Sequence, residues 1–507
     1  MPMTTDALPL PAAFELQRTR DADDAPELTE DDLACVVGGL ARAWSAPPDE
    51  HRASDHESPT YQGVLVAAGE PFDPRFSTSV GGSRETQFTG ATPAGRTDAV
   101  AYGAGGSWRL RSGFQLQPEF SMTGASLLTA SRLALGQSSM KLGLLIPLQN
   151  DRGGIVTAGP ERAARYEVDA SRSRLRQAIT DAAYSTAAAY WDYVATLQRQ
   201  AIYAASEARA ARLVDETRVL VQADERTAAD LTQLLGNLAA KRAIRLGADL
   251  AVTQGWERLV LAMGVEATTV QRAAVPATPF PPVVAAWTPP PLAALIGDAR
   301  LRRADLTAAT QQVEASRVLV DAARNNLQDW LDLVLTGGYK GWQLGGGADR
   351  FFTPLFREIP GVDASVQIRY EFLASNAGNR GRLLQQSAID DTRHLALADL
   401  ERHVAAEVVV AVEVLRRSTD SLAASQEAGR LFDEGVQNEE RKFRLGLSTL
   451  FDVIQAADGL TNARLTETAA QRDYAVAIAT LRYQSGTLLR FDEERPVIDA
   501  ANLLTPP

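Results

Sequence analysis

The chain has 507 residues, of which 45% are hydrophobic and 22% charged, and its formal net charge is -12. That acidic balance disfavours nucleic acid, whose binding needs a basic footprint. The lone cysteine, Cys35, excludes an internal disulfide and a multi-thiolate metal site.

Residues 1–27 are acidic, with Asp6, Asp21, Asp23, Asp24 and Glu27, and their apolar patch is broken by Pro9 and Pro11. They read as a disordered segment without the basic and apolar regions of a secretory signal. Asp31 to Cys35 ends like a lipoprotein cleavage site, and Leu28 to Gly39 resembles a double-glycine leader. No apolar segment precedes Cys35, and Thr29 with Asp32 forms a capping-box pattern, so a helix over about 29–45 is the simpler reading. A second helical piece runs to about Glu70 and stops at Pro71 and Pro74.

Over about 72–148 the pattern changes to period two. Phe76, Thr78 and Val80 alternate with Ser77 and Ser79, and Leu142, Leu144, Ile146 and Leu148 share one face. These are strands, about as long as the 9–11 residues that cross a bilayer core. From Glu161 to Leu235 there is no Gly or Pro. Straight, that run would reach roughly 110 Å. The expectation is two long antiparallel helices with a tip near Ala223–Ala229 and an end near Met263. Leu213 and Leu220 stand one heptad apart, in coiled-coil spacing.

Residues 266–291 hold seven prolines and read as a polyproline-type linker. Beyond it the same order returns: a helix over about 292–328, strands at about 331–343 and 363–373, and a helical arm over 380–488 with a tip near Leu445–Thr449. Leu397, Leu400, Val404, Val408, Ala411, Leu415 and Leu422 make one stripe on that arm. Ser139 to Leu148 followed by Gln149 to Gly154, and Ser365 to Leu373 followed by Ala374 to Gly381, are two copies of a strand-to-helix unit, offset by about 225 residues. The expected organisation is therefore a disordered segment 1–27, repeat one over 28–265 with its hairpin at 155–265, linker 266–291, repeat two over 292–490, and tail 491–507. Phe72 to Leu148 is much longer than Leu331 to Leu373, so repeat one has room for an extra hairpin. Val366, Ile368, Tyr370 and Phe372 against Gln367, Arg369 and Glu371 give one apolar and one polar face. That suits a half-buried strand, or a barrel strand with lipid on one side and water on the other.

Motifs of chemistry are few. Gly345-Gly346-Gly347 lacks the Lys-Ser/Thr of a phosphate loop. His51, His56, His394 and His403 make no zinc motif, and no nucleophile elbow is found. No enzyme activity, metal or cofactor is expected. Trp108, Trp342, Phe351 and Phe352 suit an interfacial aromatic girdle or ordinary packing. No run of 18 apolar residues marks a transmembrane helix.

Four segments together carry a resemblance. Ala67-Ala-Gly-Glu-Pro-Phe-Asp-Pro74, Leu142 to Gly154, Ile368 to Gly381 and Lys442-Phe-Arg-Leu-Gly-Leu-Ser-Thr-Leu-Phe-Asp-Val453 are similar to the corners and helix-turn-helix tip of TolC-like outer membrane efflux proteins. Glu225 to Leu231, with Thr227 and Asp230, is a weaker first-repeat counterpart. The resemblance covers about residues 28–490. It implies a mostly α protein with a β portion: two repeats of long antiparallel coiled-coil hairpins, joined to strands that complete a trimeric transmembrane β-barrel in outer-membrane lipid. It implies a duct that extends into the periplasm and works with a periplasmic adaptor and an inner-membrane transporter, in tripartite efflux or type I secretion.

The resemblance also implies site residues. Asp452 falls where the family's tunnel is constricted. The next constricting position, one turn on, is Gln455 here, which leaves one carboxylate ring, and Asp230 is the first-repeat counterpart. Three copies of Asp452 would favour cations. The plainer reading puts Asp452 in the first turn of the returning helix, stabilised by the helix dipole. Phe443, Leu445, Gly446, Leu447 and Ser448, with Thr227, would be the surface offered to an adaptor. The rival to the duct is a soluble helical scaffold with a β end-piece and no transport role.

Overall fold

The computed structural model of the chain describes residues 27–28, 59–89, 92–128, 132–264, 275–276, 278–283, 287–344, 361–492, 495–499 and 501–507. The helix expected over 29–45, Cys35, His51, His56, the glycines at 345–347, Phe351, Phe352 and much of the proline-rich stretch lie outside these, as do residues 1–26. The described residues fall into two compact units, one within 51–175 and 304–401 and one within 176–303 and 402–507.

The first unit is built on one antiparallel sheet of six strands in chain order: β1 (Arg75–Thr89), β2 (Thr92–Arg109), β3 (Gln115–Leu128), β4 (Arg132–Pro147), β5 (Trp330–Leu344) and β6 (Gly361–Glu371). The first four strands thus precede the first long helical hairpin, and the last pair precedes the second. Register fixes which residues share a face. Trp108, Leu116, Leu144, Leu335 and Val366 stand directly opposite one another in turn, so one row of this face is wholly apolar. Ser77, Gly105, Glu119, Lys141, Gly338 and Asp363 form a polar and charged row on the other face. The apolar face is uncovered: Phe76 is 79% exposed, Val80 73%, Met140 58%, Val366 74% and Ile368 67%. On β2 the apolar stretch from Trp108 to Val100 runs ~26 Å along the strand, close to the ~25 Å apolar band of outer-membrane barrels. It stops at a charge cluster on the same face, where Arg84 donates to Asp98 at 2.7 Å and Arg96 at 2.6 Å. Trp342 corrects one expectation. It lies opposite Gln137, on the polar face, so it cannot share a lipid-side girdle with Trp108.

The corners of the sheet are held by part-buried polar groups. After β4, Asp151 adopts a left-handed backbone (φ 59°) and its carboxylate accepts the N–H groups of Val156 at 2.9 Å and Thr157 at 2.8 Å, and the Thr157 hydroxyl. Asn150 donates to the carbonyl of Gln328 at 2.9 Å; Asn376 and Asn379 donate to those of Leu327 and Asn326 at 3.0 Å. Both strand-to-helix corners are therefore fastened to the same turn, residues 326–328. Arg111, beyond β2, meets the buried Glu161 at 2.8 Å, and Arg165 meets it at 2.7 Å. The Arg111 bond first, and Arg165 second, hold the Glu161 carboxyl below its ordinary range.

The helices are α1 (Pro59–Ala68), α2 (Gly159–Gln222), α3 (Ala228–Ala262), α4 (Leu292–Arg302), α5 (Ala304–Asn325), α6 (Ala377–Arg444), α7 (Leu450–Gln484) and the single turn α8 (Ala501–Leu504). α2 has 64 residues and α6 has 68, against a mean of about 11–12. None among the described residues is long and apolar enough to cross a membrane.

In the second unit α3 returns antiparallel along α2. Gln200 meets Asp249 at 2.8 Å and Arg245 meets Glu207 at 2.5 Å. An aromatic core of Tyr190, Trp191, Tyr193, Trp256 and Phe280 lies near the base of this hairpin, and burial pushes the Tyr193 phenol up to about 12. On α6, Val404, Val408, Ala411, Leu415 and Leu422 are buried, as their heptad spacing requires. On α2 the buried series is Ala210, Val214 and Thr217, displaced from Leu213, which packs at the edge of the tip cluster, and Leu220. The single helix expected over 292–328 is two. Arg303 is extended (ψ 124°) between α4 and α5, and its guanidinium reaches Glu407 and Gln484 at 3.3 and 2.5 Å.

Candidate functional site

The two hairpin tips are built alike. α2 ends on Asp224 and α6 on Gly446, both left-handed (φ 59° and 74°). The N–H groups of Glu225 and Leu447 reach back to the carbonyls of Leu220 and Lys442 at 2.9 Å, as in a Schellman-type end. Three residues past each left-handed position a threonine, Thr227 or Thr449, caps the next helix, with Asp230 or Asp452 completing the capping box. α3 and α7 have 35 residues each and both end at left-handed glycines, Gly264 and Gly486. Every equivalence has one offset of 222 residues, and it pairs Gln233 with Gln455.

At the second tip, Asp452 accepts from the Thr449 hydroxyl and from the Thr449 N–H at 3.0 Å, and these bonds hold its carboxyl below the ordinary range. Ser448 also reaches Asp452, at 3.5 Å, and donates to Glu439, which Lys442 pairs at 3.1 Å. The Ser448 bond, then Lys442, lowers the Glu439 carboxyl. The helix-stabilising reading of Asp452 is thus realised in the bonds it makes. Gln455 is exposed one turn further along α7.

The tips share one apolar cluster: Val214 and Leu234 from the first hairpin, Phe443, Leu450 and Val453 from the second. Phe443 is only 7% exposed, with the Arg226 guanidinium 4.7 Å from its ring centre. It therefore acts as a plug between the tips, while Leu445 and Leu447 are 74% and 75% exposed. Phe451, 63% exposed beside them, was missed by the sequence reading; its only signal is an aromatic in the first turn after a capping threonine. Among the described residues no group of His, Cys, Asp and Glu is arranged to hold a metal.

The outer membrane efflux protein family matches residues 295–487, which include the second tip, β5 and β6. The chain carries an outer membrane efflux protein domain. Solved structures show the same fold over nearly the whole chain. The outer membrane protein VceC of Vibrio cholerae is 16% identical with a TM-score of 0.61, covering 90% of this chain and 96% of its own. The CmeC outer membrane channel of Campylobacter jejuni is 13% identical with a TM-score of 0.60, covering 93% and 90%. The MtrE outer membrane channel of Neisseria gonorrhoeae is 15% identical with a TM-score of 0.58, covering 90% and 88%. No curated protein sequence matches the chain. Residues 295–487 carry the efflux match, and the likeness to the solved channels is one of fold.

Proposed function

We propose that this efflux protein is the outer-membrane duct of a tripartite efflux or type I secretion system, working as a homotrimer with a periplasmic adaptor and an inner-membrane transporter. The observation that carries the reading is the six-stranded sheet. One face is apolar and exposed, the other polar, and among the described residues both edges are unpaired. Water would penalise such a face, whereas lipid outside and an aqueous lumen inside satisfy both. Apolar side chains also stay exposed on the helices of one copy, including Leu246 and Leu250 on α3 and Val410 and Val414 on α6, which suits burial against neighbouring copies. The soluble-scaffold alternative offers nothing to cover the sheet.

The common tip geometry supports reading the chain as two repeats, 28–265 and 292–490, joined by 266–291 and flanked by 1–27 and 491–507. Within the trimer, Asp452 and Gln455, with Asp230 less centrally, would line the constriction. Leu445, Gly446, Leu447 and Ser448, with Thr227, would meet the adaptor, and Phe443 would support that surface from beneath. Fractionation tests the proposal. The protein should enter the outer-membrane fraction and need detergent for release; a monomer that stays soluble without detergent would contradict it.

A further inference from the structure

We infer that the barrel is closed by β6 of one copy pairing antiparallel with β1 of the next, in a fixed register, so that six strands per copy make an eighteen-stranded ring. The copy number rests on the trimer proposed above; the pairing and the six strands per copy rest on the sheet itself.

Among the described residues β1 pairs only with β2, and β4 pairs with β3 and β5. The hairpin of β2 and β3 is therefore an inner element of the sheet and cannot be an overhanging appendage, because without it β1 has no link to β4. Six antiparallel strands leave the two edges, β1 and β6, running in opposite directions, so copies can join edge to edge with one hydrogen-bonding pattern throughout. Both edges carry the apolar face on the same side of the sheet, through Phe76 and Val80 on β1 and Val366 and Ile368 on β6. Closure also removes the exposed strand edges, which otherwise invite uncontrolled pairing.

Strand ends and charges select the register. Setting the first residue of β1, Arg75, against the last of β6, Glu371, puts opposite charges together on the polar face. It also sets Phe76 beside Tyr370 and Val80 beside Val366 on the apolar face. A shift of two residues one way sets Arg75 against Arg369, a like-charge pair. A shift the other way sets Arg75 against Leu373, past the end of the strand.

The geometry of closure gives an independent check. The row of opposed residues that starts at Ser77 crosses the sheet to Asp363. In the selected register Asp363 meets Ser83 of the next copy, so each copy advances the row by six residues over six strand spacings. That is ~20 Å along the strands for ~29 Å across them, a tilt of ~35°, within the range of transmembrane barrels. Eighteen strands at that tilt make a ring ~34 Å across, a size that leaves an aqueous channel.

Cysteine cross-linking tests the pairing in a Cys35→Ala background. Ser79→Cys with Gln367→Cys places the thiols opposite each other across the new edge; Ser79→Cys with Asp363→Cys separates them by four residues. On oxidation the first pair should give a covalent three-chain ring and the second none. A trimer by mass that links in the second pair, or not in the first, would overturn the register and leave the duct intact. Covalent species limited to two chains, in particles of two-chain mass, would overturn the eighteen-strand count. A monomer in detergent would overturn the duct reading and this inference with it. Imaging of the unsubstituted protein is independent of the variants: eighteen strands are expected, and a threefold particle with twelve, its β2–β3 hairpin outside the ring, would refute the inference alone.

Discussion

Thr449 and Asp452 bond each other three times: the Thr449 N–H donates to Asp452 Oδ2 at 3.0 Å, the Thr449 hydroxyl donates to the same oxygen, and the Asp452 N–H donates to Thr449 Oγ1 at 3.3 Å. The residue proposed to line the constriction is thus also the residue that starts α7. A test of the pore must separate those two roles.

Two substitutions do so. Thr449→Ala removes the cap and should cost about 1 kcal/mol, read as faster amide exchange over Leu450–Ile454, while the charge of Asp452 stays. Cation selectivity in bilayer conductance should then change little. Asp452→Asn should lower it; unchanged selectivity would return Asp452 to a helix-stabilising role alone.

The pH dependence of the tip has a definite sign. Bonds from Thr449 depress the folded pKa of Asp452 below its ordinary 3.8. Its contribution is therefore fully present above about pH 4–5 and is lost as pH falls through the depressed value. Amide protection factors at the tip, which remove the intrinsic pH dependence of exchange, and cation selectivity should both hold steady from pH 7 to 5. Either one changing in that window would contradict the assignment.

Arg111 and Glu161 make the same kind of argument at the sheet. Glu161 is buried, whereas the Arg111 side chain is 60% exposed, so screening reduces the strength of the pair. Arg111→Ala should loosen this corner only modestly, since Glu161 keeps Arg165. Protease sensitivity near 110–114 should rise. Because the folded pKa of Glu161 lies below its ordinary 4.5, the difference between variant and parent should be full at neutral pH and shrink as pH falls beneath that value.

Phe443 is the plug of the tip cluster. Phe443→Ala should cost about 3 kcal/mol locally and speed proteolysis at 444–449. Adaptor binding should weaken with it, whereas Leu447→Ser should weaken binding without altering proteolysis.

At Gly446 the backbone is left-handed, and Asp224 shows what the equivalent position of the first tip tolerates. Gly446→Asn should therefore fold with little loss, and Gly446→Val should destabilise the turn by about 1–2 kcal/mol. Amide exchange at Leu447 would distinguish them.

Much of this was written in local patterns. The alternation of Val366 to Phe372 announced a two-faced strand, and the spacing of Val404 to Leu422 announced the buried stripe of α6. Both signals arise within one element. What pairing and packing decide was not legible. Trp342 and Trp108 look equivalent in sequence, and only the register across three strand pairs puts them on opposite faces. Phe443 and Phe451 are both aromatics near a turn, and only the meeting of two hairpins buries one and leaves the other exposed. The break at Arg303 was invisible because no Gly or Pro marks it, and the groups its guanidinium meets there, Glu407 and Gln484, are remote in sequence. The equality of the tips was half visible, because Thr227 to Asp230 and Thr449 to Asp452 share a capping pattern while Asp224 and Gly446 share only a backbone conformation.

The most direct test of the duct itself is an image of the detergent-solubilised, unsubstituted protein. The account predicts a particle of three copies around a central channel, with a barrel at one end. A single-copy particle, or an assembly without a through-channel, would contradict it.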